Sequence, residues 1–519
     1  MRIALAQLDV RVGDLRGNAE RLLDAMHDAA ARGATHLVAP ELVLPGAPPR
    51  DLLLDERFVA DTVAATHDIA VRAPPSLTAW VGTVDRATHR TPGHPGLFNA
   101  LAVLHGGRVV DHVHKRLLPS YDVFHEPRWF VPGAPASPRD GLGALVCEDL
   151  WDDGYPVHPG AELVASGARA LLCAAASPFR ARVVSERERH AARQGVPVVY
   201  VNLVGGQDEL VFDGGSFVTD GSGCVRHRLP FFEEAVSVID LDAPGDDLAP
   251  VPCDEEAIFR ALVLGVRDFA RKNGIRRAVL GLSGGVDSAL VACVAREALG
   301  GANVLGVAMP TRFNDPRSTE SALALGRALG IDVEVFPMND LATGLTASVE
   351  ALLARFGAPR DGDTTGENVQ ARLRALLLLA VLNRTGGLLL NTSNKTELAL
   401  GYGTLHGDLA GTLSVLGDLT KPEVYAVARW YDAGRGVIPP FVLERPPSAE
   451  LREGQVDPFD YPTLAPRVEA LVQGRSVDDD ALARTVRLAE HKRWQSGVVL
   501  KVSARSFGTG RMMPVTRTR

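Results

Sequence analysis

Residues 278–296 constrain this chain more than any other stretch. Residues 278–282 form a short apolar run that reads as a buried strand. Ser283-Gly284-Gly285-Val286-Asp287-Ser288 follows at once, and residues 289–296 read as a helix. A strand that passes through a glycine-rich loop into a helix N-terminus is a phosphate-binding geometry. The first helical N–H groups lack partners, and that end of the helix is partly positive. Gly284 and Gly285 let the backbone approach a ligand, and Ser283 and Ser288 offer hydroxyls. Asp287 sets a carboxylate beside the phosphates, which makes chemical sense if a divalent cation bridges them. No G-x-x-x-x-G-K-[ST] occurs, so this is not the common P-loop. A bare Gly-Gly pair would fit a plain connection; S-G-G-x-D-S in this setting is far more specific.

A chain of 519 residues has room for two or three domains. Strand and helix signals alternate through both halves, so the fold class is α/β. Residues 2–8 read as a strand. Asn18 is placed to cap a helix with Ala19, Leu22, Leu23, Met26, Ala29 and Ala30 on one face, closed by Gly33. Leu37-Val38-Ala39 is the next strand, and Pro40 stops it, leaving Glu41 at a strand end, where α/β folds carry their chemistry. Further strands are expected at 79–84, 142–146, 170–173 and 198–201. A hairpin is expected around His105-Gly106-Gly107-Arg108, and a turn into a strand over 212–217. Pro and Gly gather between 242 and 254, which predicts domains at 1–245 and 255–519 joined by a linker, 246–254. Beyond it, 255–272 reads as an amphipathic helix closed by Gly274, 368–383 as a helix, and 304–309, 332–336 and 387–390 as strands. The basic tail from Arg511 to Arg519 reads as loosely held.

A net charge of −8 argues against nucleic acid as the main partner. The five cysteines are scattered and form no C-x-x-C, which favours neither a disulfide framework nor a zinc site and fits a reducing cytoplasm. The first apolar run is too short for a signal peptide and soon meets Asp9. No run is long enough to span a membrane, so no membrane partner is expected.

Glu41, Lys115 and Cys147 stand at strand ends in the first half. A thiol needs a base to become a thiolate and a cation to hold it charged. Cys173 and Cys293 lie within apolar runs and read as core, whereas Cys147 ends its run and meets Glu148-Asp149. Three segments resemble, in order, the motifs of the nitrilase superfamily. They are Pro40-Glu41-Leu42 with Leu44-Pro45-Gly46 and Pro49-Arg50-Asp51-Leu52-Leu53, then His114-Lys115-Arg116-Leu117-Leu118-Pro119, then Val146-Cys147-Glu148-Asp149-Leu150-Trp151. The resemblance implies a four-layer α-β-β-α nitrilase-like sandwich. Glu41 would be its general base and Cys147 its nucleophile, with Lys115 orienting the site and supporting the oxyanion. Attack on a carboxamide would give a thioester and ammonia. In the glutamine-using branch, Tyr121 and Ser177 match glutamine-pocket positions. That branch has a basic residue six positions after the serine; Val183 stands there, and a one-residue deletion would bring Arg182 to the role.

The glycine loop resembles that of the ATP pyrophosphatases, which cut ATP between its α and β phosphates. Five downstream segments narrow this. They are Glu367-Asn368-Val369-Gln370-Ala371-Arg372-Leu373-Arg374, Leu390-Asn391-Thr392-Ser393-Asn394-Lys395-Thr396-Glu397, residues 402–411, Arg445-Pro446-Pro447-Ser448-Ala449-Glu450-Leu451 and Glu490-His491-Lys492-Arg493. With the upstream triad they resemble the glutamine-dependent NAD(+) synthetases over nearly the whole chain. The resemblance implies a C-terminal Rossmann-like parallel-sheet domain of the adenine nucleotide alpha hydrolase kind. It implies ATP held by Gly281, Leu282, Ser283, Gly284, Gly285, Val286, Asp287, Ser288 and Thr392. Magnesium would sit on Asp287 and Glu397, and deamido-NAD on Asn368, Arg372, Glu397 and Lys492, with Asp408 and Lys421 beside them. The nicotinate carboxylate of deamido-NAD would be adenylylated, and ammonia, drawn from glutamine and passed between domains, would displace AMP. A homo-oligomer is implied as well. The chain departs from the pattern at Asn314-Asp315, where a serine pair is usual, at Ser321, where an aspartate is usual, and at Ser393 and Thr396. Two alternatives are another ammonia-consuming ATP pyrophosphatase, such as a GMP- or asparagine-forming synthetase, and a synthetase fed by free ammonia with its amidase half as scaffold. The Glu41, Lys115, Cys147 set argues against both.

Overall fold

The computed structural model describes residues 1–88, 93–243, 245, 247–357, 364–495 and 497–508. The chain forms two compact units, Met1–Pro252 and Cys253–Arg519. The basic tail, Pro244 and, in the expected linker, Asp246 lie outside the described residues.

The first unit runs β1 (Arg2–Gln7), α1 (Leu15–Ala31), β2 (His36–Val38), α2 (Glu56–Arg72), β3 (Thr78–Arg86), β4 (Leu97–His105), β5 (Arg108–His114), β6 (Leu142–Val146) and α3 (Pro159–Ala165). It continues with β7 (Ala170–Ala175), α4 (Val183–Ala192), β8 (Val198–Asn202), β9 (Val204–Gln207), β10 (Leu210–Asp213), β11 (Phe217–Thr219), β12 (Val225–Arg228), β13 (Ala235–Asp240) and β14 (Asp247–Leu248). One sheet has the order β13-β1-β2-β3-β4-β5 and another β14-β12-β11-β8-β7-β6, with β9 and β10 a separate hairpin. Successive side chains on a strand point to opposite faces. Ile3, Leu5, Val38, Trp80 and Leu101 of the first sheet therefore meet Val146, Leu172, Val199 and Val201 of the second in one core. The other face of the first sheet, with Ala4, Leu37 and Val81, packs on Leu22 and Met26 of α1 and Val59 and Ile69 of α2. The outer face of the second, with Leu145, Leu171 and Tyr200, packs on Leu163 of α3 and Ala191 of α4. The unit is thus a four-layer α-β-β-α sandwich. Its central strands such as β6 and β7, buried on both faces, read in sequence as unbroken apolar runs for that reason.

Two local expectations change. Asn18 does not cap α1. Asp14 does, accepting the Gly17 N–H at 2.9 Å. Asn18 lies one turn inside, buried, and its amide donates to the Arg11 and Leu44 carbonyls at 2.8 and 2.9 Å. It ties the helix to the segment that follows Glu41. Within the expected linker, β14 pairs in parallel with β12, so Asp247–Leu248 is ordered against the first unit.

The second unit runs α5 (Asp254–Lys272), β15 (Ala278–Gly281), α6 (Val286–Leu299), β16 (Val304–Ala308), α7 (Pro316–Leu329), β17 (Asp332–Val335), α8 (Asn339–Ala354), α9 (Thr365–Thr385), β18 (Leu388–Asn391), α10 (Lys395–Leu400) and β19 (Leu413–Ser414). Then come α11 (Lys421–Asp432), α12 (Pro440–Glu444), α13 (Tyr461–Val472), α14 (Asp480–Leu488), α15 (Glu490–Arg493) and β20 (Val498–Val499). The sheet order is β17-β16-β15-β18-β19-β20, parallel at every pairing. The chain progresses outward from β15 in both directions, which makes the carboxyl end of β15 a switch point and opens a crevice there. No helix among the described residues is long and apolar enough to cross a membrane.

Candidate active sites

Glu41 follows β2, Lys115 follows β5 and Cys147 follows β6, so three strand ends bring them together. A Cβ on Gly82 of β3 would lie 2.1 Å from the Pro40 carbonyl and 2.4 Å from the Leu42 nitrogen. Only glycine lets the Glu41 segment lie against β3. Lys115 Nζ donates to Glu41 Oε1 at 2.7 Å, and Asn99 Nδ2 donates to the same oxygen at 2.7 Å. The Ala176 N–H holds Glu41 Oε2 at 2.9 Å. Lys115 also reaches Glu126 Oε1 at 2.6 Å. Cys147 has φ +44°, the left-handed region, which costs a non-glycine residue about 1–3 kcal/mol and persists only where the surroundings impose it. Asp149 imposes it: its carboxylate accepts the Val146 N–H on one oxygen and the Arg116 and Leu117 N–H groups on the other. The nucleophile's turn is thereby pinned to the segment after Lys115.

Charge at this site is finely opposed. Burial alone would lower the Lys115 ammonium, but Glu126 and Glu41 outweigh it and hold Lys115 well above its ordinary value. Burial raises Glu126 to about 7, against the pull of Lys115. Burial, reinforced by Glu41 and opposed by Lys115, also pushes the Cys147 thiol well above its usual range. Attack by a thiol so raised requires that its proton leave as the bond forms. Glu126 escaped the sequence reading because it lies in a connecting segment, eleven residues past Lys115, with no strand end to mark it.

Tyr121 donates to both oxygens of Glu148, at 3.1 and 3.0 Å, and Tyr155 donates to one at 3.0 Å. A buried carboxylate braced by two phenols thus stands next to the nucleophile. Ser177 lies just past β7, its N–H on Asn202 Oδ1 at 2.9 Å. Arg182 is exposed at the start of α4, with φ +66°. The arginine that meets Ser177 is Arg187, one turn further along α4. Its Nε donates to Ser177 Oγ at 3.2 Å, Nη2 to the Ser177 carbonyl at 2.8 Å and Nη1 to Asp213 Oδ2 at 2.8 Å. Arg187 is 2% exposed and Asp213 0%. Removing one member of a buried pair strands the other charge. Arg187→Met is therefore expected to cost about 3–5 kcal/mol, read as a lower urea midpoint, and an unchanged midpoint would contradict this.

In the second unit the Ser288 hydroxyl donates to the Gly285 carbonyl at 3.0 Å and accepts the Ser283 N–H at 3.2 Å. Its proton is committed to shaping the loop rather than to a ligand. Gly284 has φ +78°, and a Cβ there would sit 2.2 Å from the Ser318 carbonyl. Gly281, Leu282, Ser283, Gly285 and Thr392 line a cavity of about 250 Å³ at the carboxyl ends of β15, β16 and β18. A second cavity, of about 130 Å³, shares Ser283 and Gly285 and is lined by Val286, Asp287, Glu397 and Lys421. Lys421 Nζ pairs with Asp287 Oδ2 and lies 3.3 Å from Glu397 Oε1, and Asn394 Nδ2 donates to Asp287 Oδ1 at 3.0 Å. Burial, with Asp287 adding and Lys421 opposing, raises Glu397 to about 7.

Asn368, Arg372 and Lys492 gather on one loop. Asn368 Oδ1 accepts the Thr404 hydroxyl at 2.7 Å, and Arg372 Nε donates to the Leu405 carbonyl at 3.1 Å. Lys492 Nζ donates to the Gly401 and Gly403 carbonyls, each at 2.7 Å. Asp408, at the end of this loop, lines both cavities. Asn314, where the family pattern has serine, accepts the Thr311 N–H at 2.7 Å and donates to Glu450 Oε2 at 2.8 Å.

Residues 2–245 match the family model for carbon-nitrogen hydrolase and residues 258–495 that for NAD synthase. The glutamine-dependent NAD(+) synthetase of Synechocystis sp. is 38% identical over 554 residues, covering 99% of this chain and 98% of that protein. That of Rhodobacter capsulatus is 39% identical over 556 residues, with the same coverage of both chains. The solved glutamine-dependent NAD+ synthetase of Acinetobacter baumannii, in complex with adenosine diphosphate, superposes with a TM-score of 0.79 at 28% identity, covering 99% of this chain and 98% of that one. With a buried thiol beside a glutamate–lysine pair in one unit, a glycine loop flanked by carboxylates in the other, and full-length likeness across both, this chain belongs to the glutamine-dependent NAD(+) synthetases.

Proposed function

We propose that the first unit releases ammonia from glutamine and that the second uses it, with ATP, to convert deamido-NAD to NAD. The observation that carries this reading is the Cys147 thiol, set in a left-handed turn beside the Glu41–Lys115 pair, in a chain whose other unit opens on the S-G-G-V-D-S loop.

Glu41 takes the Cys147 proton as sulfur attacks the carboxamide carbon. Lys115 and a backbone N–H beside Cys147 stabilise the oxyanion. Glu41 returns the proton to the departing nitrogen, ammonia leaves, and a thioester remains. Glu41 then deprotonates the water that frees glutamate and restores the thiol. Tyr121 acts here through Glu148, whose carboxylate suits the α-ammonium of glutamine. Ser177 supplies a hydroxyl to the same pocket, and exposed Arg182 is the basic group proposed for the α-carboxylate.

In the second unit ATP is bound by residues 281–288 and Thr392. The nicotinate carboxylate of deamido-NAD attacks the α-phosphorus and pyrophosphate leaves, giving an acyl-adenylate. Ammonia attacks the acyl carbon, AMP leaves, and a proton is lost to give the amide. Asn368, Arg372, Glu397 and Lys492 bind the dinucleotide, three of them by way of the loop they hold. Asp287 and Glu397 are proposed to hold magnesium. Two carboxylates converging on one ammonium fit an ion usually bound by one or two carboxylates plus substrate phosphates. The chemistry that ion supplies when bound is neutralisation of phosphate charge. A cytoplasmic location belongs to the same reading, supported by five cysteines without disulfides. So does a homo-oligomer, supported by exposed Leu341, Leu345 and Leu352 on α8 and Leu376 and Leu379 on α9.

Deamido-NAD labelled with oxygen-18 in its carboxylate tests the acyl-adenylate. One labelled oxygen should appear in the phosphate of AMP. Label in pyrophosphate, or in neither product, would overturn it.

A further inference from the structure

Arg374 enters the larger cavity from α9. It is partly buried and its contacts are long: Nε reaches the Met309 carbonyl at 3.3 Å and Nη2 reaches Asn314 Oδ1 at 3.5 Å. Among the described residues it has no ion pair. The acids nearest in charge are engaged elsewhere. Asp408 accepts the Thr404 N–H, and Glu450 is held by Asn314, by Ser318 and by Arg445, the last at 3.2 Å. Burial lowers the Arg374 guanidinium from its ordinary value, and Asp408 and Glu450 only partly offset this. Its neighbour in the motif, Arg372, is exposed and turned to the Leu405 carbonyl.

A guanidinium carries five N–H donors in a planar fork that matches phosphate oxygens, and two long contacts leave most of that fork unmatched. A partly buried guanidinium that lines a cavity with no ion pair among the described residues has donors to spare, which makes an anion the fitting occupant. The same cavity is lined by Ser283 and Gly285 of the phosphate-type loop.

We propose that Arg374 is a further substrate-binding residue of the synthetase site, and that its guanidinium meets a phosphoryl group of a nucleotide bound in this cavity. The inference rests on the reading of the second unit as a nucleotide-binding enzyme. Two substrates carry such a group: the polyphosphate of ATP and the pyrophosphate bridge of the dinucleotide.

Calorimetric titration of the full chain with adenosine, ADP and deamido-NAD separates these cases, comparing wild type, Arg374→Gln and Arg374→Lys. A charged hydrogen bond lost from an anion should weaken binding about 10- to 100-fold. Arg374→Gln is expected to lose this on ADP, on deamido-NAD or on both, with adenosine unchanged, and Arg374→Lys should recover part. Loss on ADP assigns the contact to ATP; loss on deamido-NAD alone assigns it to the dinucleotide. Equal weakening of adenosine and ADP, or no weakening of either anionic ligand, overturns the proposal. If Arg374→Gln does not fold, Arg374→Lys serves, with a smaller loss on the anionic ligands alone as the supporting result and an equal change on all three as the contrary one. Wild-type protein that binds ADP but never forms NAD would defeat the functional reading and leave this assignment standing.

Discussion

Cys147→Ala should abolish NAD formation from glutamine, by at least about 10⁴-fold, because deleting a nucleophile removes the whole covalent route. With ammonium salts as nitrogen source the same variant should make NAD at a rate close to wild type. Glu41, Lys115, Cys173 and Glu148, the groups that act on the Cys147 thiol, all belong to the first unit. The substitution is small and leaves Glu41, Lys115, Glu126 and Asp149 in place. Alanine at φ +44° is strained as cysteine is, so the turn imposed by Asp149 should persist. Loss of both activities would mean that the division of labour between the two units is wrong.

Asp287→Ala should have the complementary effect, losing synthesis with either nitrogen donor. Asp287 carries two roles in one carboxylate: it pairs with Lys421, and with Glu397 it frames the position proposed for magnesium. Removing it leaves Lys421 with Glu397 alone and takes away half of a two-carboxylate set. Preorganised charge at a phosphoryl-transfer site is worth about 10²–10³ per group, so a loss of that order or more is expected in the rate with ammonia. Asp287→Asn keeps a partner for Asn394 but not the charge. It should fall nearly as far if charge is what matters. Retention of synthesis by either variant would remove Asp287 from the reaction.

The catalytic residues and the phosphate loop that were legible in the sequence sit at strand ends. The strands before Glu41, Cys147 and Ser283 are buried, so the residues that end them stand out; β5 before Lys115 is mixed in polarity and half-exposed, and Lys115 was marked by the family pattern around it. The residues that were not legible lie on helices and connecting segments. Around α4 the sequence offers Arg180, Arg182, Arg187, Arg189 and Arg193, and only the rotation of the helix against the sheet turns Arg187 inward onto Ser177. On α9, Arg372 and Arg374 are two residues apart and so face different ways, one outward and one into the cavity. Asn18 and Asp14 are both good caps four residues apart, and the choice fell to Asp14 because Asn18 has buried carbonyls to satisfy. The strands β19 and β20 are two residues each, too short for any periodicity to show. Lys421 was visible in the family pattern, but its place between Asp287 and Glu397 joins residues more than a hundred positions apart and belongs to the fold alone.

One chain is expected both to draw ammonia from glutamine and to fix it into NAD. This is tested most directly by incubating the purified protein with ATP, magnesium and deamido-NAD, supplying glutamine or ammonium in turn, and following NAD. NAD should form with either donor, and with glutamine each NAD should be matched by at least one glutamate, one AMP and one pyrophosphate. No NAD from either donor, or NAD from ammonium alone with no glutamate released from glutamine, would contradict the account.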